Sequence, residues 1–223
     1  MKYKVGTVTI GQAPRVDITP DLRKIVGDDI DIVEAGALDG LTSEQIASMA
    51  PHEGDYVLVT RMADGTSVTI SEHAVTPLLK EKINEHFNNG INTVLLLCTG
   101  EFPGFATGGL LLTPQKLLFN FVSSVTSGLK LGIFMPSPDQ IVQSTARWSK
   151  VSSDTKSVGA SPYVNPELTI PAAAKELAEW GADVIIMDCM GYSLAMKETV
   201  RKITGKPVIL ARAVAARALS ELI

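Results

Sequence analysis

Val94-Leu95-Leu96-Leu97-Cys98-Thr99-Gly100-Glu101 is the stretch that decides the fold of this chain. Four apolar residues in a row read as a strand covered on both faces, which suits a parallel sheet. The strand stops at a cysteine, and a loop containing Gly100, Pro103, Gly104, Gly108 and Gly109 follows. The only other cysteine repeats the arrangement in Val184-Ile185-Ile186-Met187-Asp188-Cys189-Met190-Gly191. Open α/β sheets bind ligands outside the carboxyl ends of their strands. Two thiols at two such ends are the first candidates for chemistry.

Outward from these strands the pattern alternates. Residues 4–10 form a strand that closes at Gly11, and Thr19-Pro20-Asp21 starts a helix with Thr as N-cap, Pro in the first turn and Asp against the dipole. A strand at 31–35 and a short helix from Thr42 follow. Residues 55–62 and 66–71 flank Ala63-Asp64-Gly65, and Asp-Gly between β-branched runs signals a hairpin. A helix over 74–89 stops at Gly90. Beyond the first cysteine, Thr113-Pro114-Gln115 and Ser137-Pro138-Asp139 start helices on either side of a strand at 130–135. A strand at 156–160, a helix over 171–180, the second cysteine strand, a helix over 193–203, a strand at 207–210 and a helix over 213–222 complete the chain. The expected fold is α/β: two pseudo-symmetric doubly wound lobes with mostly parallel sheets and an active-site cleft between them.

Composition narrows the function. A net charge of −4 over 223 residues carries no basic footprint for nucleic acid. No apolar run reaches the length of a membrane span. Met1-Lys2-Tyr3-Lys4 enters a strand directly, without the apolar core of a signal peptide, so a cytoplasmic protein is expected. In that compartment a structural disulfide between Cys98 and Cys189 is not expected. Neither is a metal, because His52, His73 and His86 have no ligand-type spacing to either cysteine.

Paired thiols suit one task well. A proton next to a carbonyl or carboxylate is weakly acidic, and an enzyme without a cofactor can place a base on one face of the carbon and an acid on the other. Thiols ionise near neutrality when a helix N-terminus assists, which favours proton transfer. Backbone N–H groups of the Gly-containing loops could hold a carboxylate or enolate. Asp188, beside Cys189, would keep that sulfur protonated, so Cys98 is expected as the base and Cys189 as the acid.

Around these residues the chain resembles the aspartate/glutamate racemase superfamily, particularly its hydantoin racemase branch. The matching text is Cys98-Thr99-Gly100-Glu101-Phe102-Pro103-Gly104, and Cys189-Met190-Gly191-Tyr192-Ser193 followed by Lys206-Pro207-Val208-Ile209 and Ala213-Val214-Ala215-Ala216. Ile10-Gly11-Gln12-Ala13-Pro14-Arg15 and Thr60-Arg61-Met62-Ala63-Asp64-Gly65, taken with the first cysteine, resemble the AroM family. That likeness implies a fold and a chemistry but no substrate. It also implies a homodimer and a chain end that returns to the first lobe, giving residues 1–115 with 208–223 as one lobe and 116–207 as the other. Thr99-Gly100 and Met190-Gly191 stand where amino-acid racemases carry Asn-Thr and Thr-His or Thr-Glu, which argues against glutamate or aspartate as substrate.

The candidate catalytic residues are thus Cys98 and Cys189, with no cofactor. The candidate binding residues are Gly11, Gln12, Arg15, Thr99, Gly100, Glu101, Met190, Gly191 and Tyr192. Arg15 reads either as a bidentate clamp on a substrate carboxylate or as a surface arginine, and Arg61 as a cross-strand surface partner. The expected ligand is a small carboxylate or cyclic amide, and the expected activity is racemisation or epimerisation. The rivals are a non-catalytic binding or regulatory protein and a one-cysteine decarboxylase or isomerase.

Overall fold

The computed structural model describes residues 2–105 and 108–223. Its first half places β1 (Tyr3–Thr9) between β2 (Ile30–Gly36) and β5 (Thr93–Leu96), with β6 (Leu110–Leu112) beyond β5, all parallel. The second half repeats this order with β7 (Leu131–Met135) between β8 (Thr155–Gly159) and β9 (Val184–Met187), and β10 (Val208–Leu210) beyond β9. β5 and β9 therefore hold equivalent places in two sheets of the same connectivity. An antiparallel hairpin, β3 (Val57–Arg61) with β4 (Ser67–Ser71), is added to the first half.

The unbroken apolar runs follow from this layering. Along β5, Leu95 and Leu97 face a core shared by both sheets, while Val94, Leu96 and Cys98 face a core belonging to the first half. Along β9, Val184 and Ile186 enter the shared core, and Ile185, Met187 and Cys189 face the core of the second half. Neither strand has a wet face, so neither alternates.

Helices α1 (Thr19–Val26), α4 (Pro114–Val125) and α8 (Ala211–Ser220) contribute to the shared core through Leu22, Leu118 and Ala215, and α8 packs on both α1 and α4. Strand β10 is hydrogen-bonded to β9 in the second sheet, and α8, which follows it directly, packs on α1 and α4. The remaining helices are α2 (Ser43–Ala47), α3 (Glu72–Asn88), α5 (Ile141–Trp148, after a 3-10 turn at Pro138–Gln140), α6 (Pro166–Trp180) and α7 (Leu194–Thr204).

Local chemistry explains most of the boundaries. Thr42 forms a reciprocal capping box with Gln45, and Ser193 caps α7 by accepting from the Met196 N–H. At α1 the expected Thr19 cap is absent; the helix already includes Thr19, and Ile18 precedes it with no side-chain bond. Asp21 does stand in the first turn of α1, and its carboxylate also accepts the Leu194 N–H at the start of α7 at 3.0 Å. Helix α6 begins at Pro166, five residues earlier than expected, with Pro171 inside it. Strand β6 was not anticipated, because Leu110–Leu112 is too short to show a pattern. Among the described residues no helix is long and apolar enough to cross a membrane.

Candidate active site

Cys98 and Cys189 each stand two residues beyond their strands, β5 and β9. Each sulfur accepts a backbone N–H from the glycine two positions on, from Gly100 at 3.2 Å and from Gly191 at 3.3 Å. Both thiols line one cavity of about 20 Å³ with Tyr56, Gln143, Arg147 and Asp188. That is room for roughly one water.

The cysteine loops are tied to each other. Thr99 Oγ1 donates to the Asp188 carbonyl at 3.1 Å, and Arg147 Nη1 donates to the Thr99 carbonyl at 2.8 Å. The Arg147 guanidinium is also paired with the Asp188 carboxylate, which accepts Trp148 Nε1–H at 2.8 Å. This cluster is buried, with Asp188 and Arg147 only 1% and 3% exposed. Arg147 Nε and Asp188 Oδ1 find no hydrogen-bond partner among the described residues, while the remaining bonds of the cluster hold its groups in one arrangement.

Burial dominates the thiol electrostatics. It pushes the Cys98 thiol up to about 12, against the opposing Gly100 N–H. Burial pushes Cys189 up as well, opposed by the Gly191 N–H, the Arg15 charge and the Tyr163 hydroxyl. Asp188 adds a small upward push to both sulfurs rather than to Cys189 alone, because its carboxylate is turned to Arg147 and Trp148. Both cysteines are therefore neutral thiols in this closed form.

The hairpin covers the cavity. Gln143 accepts the Val57 N–H at 2.9 Å and donates to the Val57 carbonyl at 2.8 Å, and Gln140 donates to the same carbonyl at 3.0 Å. A larger cavity of about 270 Å³ lies on the other side of Cys98 and Gly100, lined by Phe102, Phe105, Leu111 and Lys116 among others. It is lined by the β5-to-β6 connection, which among the described residues carries no helix, whereas α7 joins β9 to β10.

The expected binding residues fall into distinct places. Thr99 and Gly100 line the thiol cavity. Glu101 lies close by, its N–H on the Tyr56 hydroxyl at 3.4 Å. Gly11 and Gln12 lie outside it. A Cβ on Gly11 would meet the Arg61 carbonyl at 2.3 Å, and Gln12 bonds Ala63 N and Leu38 O, stapling the hairpin turn to the β1 loop. Met190 is 1% exposed in the shared core, and Tyr192 is fully buried with its hydroxyl on the Ala160 carbonyl at 2.7 Å. Neither has surface left for a ligand.

Arg15 is no surface residue at 2% exposed. Its guanidinium grips Asp17 bidentately, both bonds 2.8 Å, and reaches Thr9 Oγ1 at 2.7 Å and the Tyr163 hydroxyl at 3.2 Å. Arg61 pairs with Asp17 at 3.7 Å, so its partner lies off the hairpin. Among the described residues no group of three or more His, Cys, Asp or Glu could hold a metal ion.

Reading the sequence alone misses Tyr56, Gln143, Arg147, Tyr163 and Arg212. Arg212 is fully buried and binds the carbonyls of Met190, Gly191 and Asp17 and the Asp21 carboxylate at 2.8–3.0 Å. Its one visible signal is a lone charge inside the apolar run Val208 to Val214, which demands a buried partner.

Residues 5–223 match the family described as AroM protein. The chain belongs to the AroM family. None of the curated proteins compared matches this AroM-family chain. Among solved structures it is similar to allantoin racemase from Klebsiella pneumoniae, at TM-score 0.67 and 13% identity, covering 99% of this chain and 87% of that one. It is similar to glutamate racemase from Aquifex pyrophilus at TM-score 0.60 and 13% identity, over 99% and 84% of the two chains. The maleate isomerase Iso from Pseudomonas putida S16 aligns at TM-score 0.60 and 12% identity, over 100% and 93%. The AroM-family chain thus has a racemase/isomerase-type fold.

Proposed function

We propose that this chain is a cofactor-independent racemase or epimerase in which Cys98 and Cys189 transfer protons at the α-carbon of a small carboxylate or cyclic amide. The observation that carries this reading is the pair of thiols on one cavity, at equivalent strand ends, each holding the N–H of the glycine two residues on. One sulfur, as thiolate, takes the α-proton. The C–H electron pair moves into the adjoining carbonyl to give an enolate. The opposite thiol then delivers its S–H proton to the other face, leaving an inverted centre and the thiol and thiolate exchanged.

The closed cavity has no room for a substrate, so the Val57 bonds to Gln140 and Gln143 yield before binding. Water entering then relieves the desolvation that keeps the sulfurs neutral. The larger cavity beside Cys98 offers space for the part of the substrate that does not react.

The test is deuterium incorporation from solvent at the α-carbon across hydroxy acids, amino acids and hydantoins. Exchange lost in both Cys98→Ala and Cys189→Ala supports the proposal. A second reading, a non-catalytic binding protein on the same fold, is favoured by the burial that holds both thiols neutral. Saturable binding without exchange would establish it. Turnover that survives Cys189→Ala would point to one-cysteine decarboxylase or isomerase chemistry.

A further inference from the structure

The two thiols have equivalent backbones but different neighbours. Beyond the Gly191 N–H, Cys189 has the Tyr163 hydroxyl 4.0 Å from its sulfur, and that hydroxyl accepts a hydrogen bond from Arg15 at 3.2 Å. The Arg15 guanidinium lies 5.9 Å from the centre of the Tyr163 ring. A Cβ at Gly191 would meet the Tyr163 hydroxyl oxygen at 2.3 Å, so the glycine is what lets the phenol approach. Tyr163 enters from the segment between β8 and α6, while Arg15 comes from the loop after β1. Two remote parts of the chain thus converge on one sulfur.

Among the described residues Cys98 has no such donor: no phenol hydroxyl reaches its sulfur, and the hydrogen bond to that sulfur comes from Gly100 alone. Both sulfurs feel Asp188, whose charge is matched by Arg147. The groups facing Cys189 are Arg15 with its partner Asp17, Tyr163, Tyr192, Asp188 and Cys98, and Arg212 braces its loop from behind through the carbonyls of Met190 and Gly191.

We propose that Tyr163 and Arg15 form a positioning pair that makes Cys189 the first of the two thiols to ionise once the cavity opens, and so the base, with Cys98 the acid. Arg15 polarises the phenol, the phenol O–H points its proton at Sγ, and a hydrogen bond to a charged acceptor is about twice as strong as one to a neutral one. The pair therefore favours the thiolate at Cys189 over the thiol. A charged Cys189 in turn raises Cys98 and keeps its proton available for delivery. These roles reverse those expected from Asp188 in the sequence. The roles rest on the two-thiol reading above, but their test needs no substrate.

The experiment is thiolate absorbance against pH in full-length single-cysteine chains. With Cys98→Ala the remaining Cys189 is expected to ionise at lower pH than Cys98 does with Cys189→Ala. Adding Tyr163→Phe to Cys98→Ala is expected to raise the Cys189 midpoint by about one pH unit, the worth of one charged hydrogen bond. The same change added to Cys189→Ala leaves the Cys98 midpoint in place. Arg15→Lys, which keeps the charge but loses the planar fork, supplies a second variant if Tyr163→Phe folds poorly. Cys98 ionising first, or Tyr163→Phe and Arg15→Lys leaving Cys189 unmoved, overturns the proposal. The expected titration without any deuterium exchange would sink the racemase reading while leaving this pair intact.

Discussion

Thr99 and Asp188, the residue after one cysteine and the residue before the other, are hydrogen-bonded across the two halves, Thr99 Oγ1 to Asp188 O at 3.1 Å. The spacing of the thiols is therefore held by the same short segments that carry them. Thr99→Val removes that bond at an expected stability cost of about 1 kcal/mol. Solvent exchange should fall much further than stability does, since small misplacements of reacting groups are costly in rate. Parallel exchange and urea measurements check this, and equal losses in both would count against it.

Arg147→Met should destabilise the chain by about 3–5 kcal/mol, because it strands the buried Asp188 carboxylate. Adding Asp188→Leu should recover part of that loss by removing the stranded charge. Urea unfolding of the single and double variants reads the difference. A double variant no better than Arg147→Met would mean that the pair is not the unit described.

Alkaline pH should weaken the fold through Cys98. Its thiol is raised from the ordinary 9.0 to about 12 by burial. Between these values the native state keeps a proton that the unfolded chain has released, so stability falls as pH rises. The contribution is fully present below 9.0 and lost as pH passes about 12. Tyr56, raised from 10.0 to about 12 by burial, acts in the same direction. Denaturant midpoints of wild type and Cys98→Ser from neutral to alkaline pH test the point, with a shallower decline expected in the variant.

The equivalent glycines should differ in tolerance. A Cβ at Gly191 meets the hydroxyl and ring of Tyr163 at 2.3–2.9 Å, whereas one at Gly100 meets the far end of Leu58 at 2.6 Å. Overpacking against the constrained ring should cost Gly191→Ala about 1–3 kcal/mol, and Gly100→Ala less, because the leucine can rotate away. Thermal unfolding of the two variants decides, and the opposite ranking would refute the account.

Gln143→Ala removes both bonds to Val57 and should loosen the hairpin. Native-state alkylation of Cys98 by a small reagent should speed up about tenfold for each 1.4 kcal/mol of easier opening. An unchanged rate would show that access runs elsewhere.

The sheet was legible because its strands are doubly covered: Val94–Leu97 and Val184–Met187 have no polar residue to confuse the pattern. The Asp64-Gly65 turn was legible because it is local chemistry. Pro171 misled, since a proline late in the first turn or two of a helix can be absorbed and reads on paper as a start. The cysteines announced themselves by standing at matching strand ends. Their partners did not, because Arg15 meets Tyr163, and Arg147 meets Thr99 and Asp188, across separations of 148, 48 and 41 residues that no local pattern encodes. Tyr192 looked like a ligand contact from its place beside Gly191, and only packing against Phe134 shows that it points inward.

One core common to both sheets has a mechanical corollary. Leu95 and Ile186 sit in the same apolar mass, together with α8, so the halves cannot swing apart like the jaws of a hinge without exposing it. The hairpin has Leu58 and Ile70 in the first-half core, and the end of it nearest the thiols is tied to the second half by the side-chain amides of Gln140 and Gln143. The molecule is better pictured as a rigid vessel with a removable stopper, in which the vessel sets the chemistry and the stopper sets the traffic.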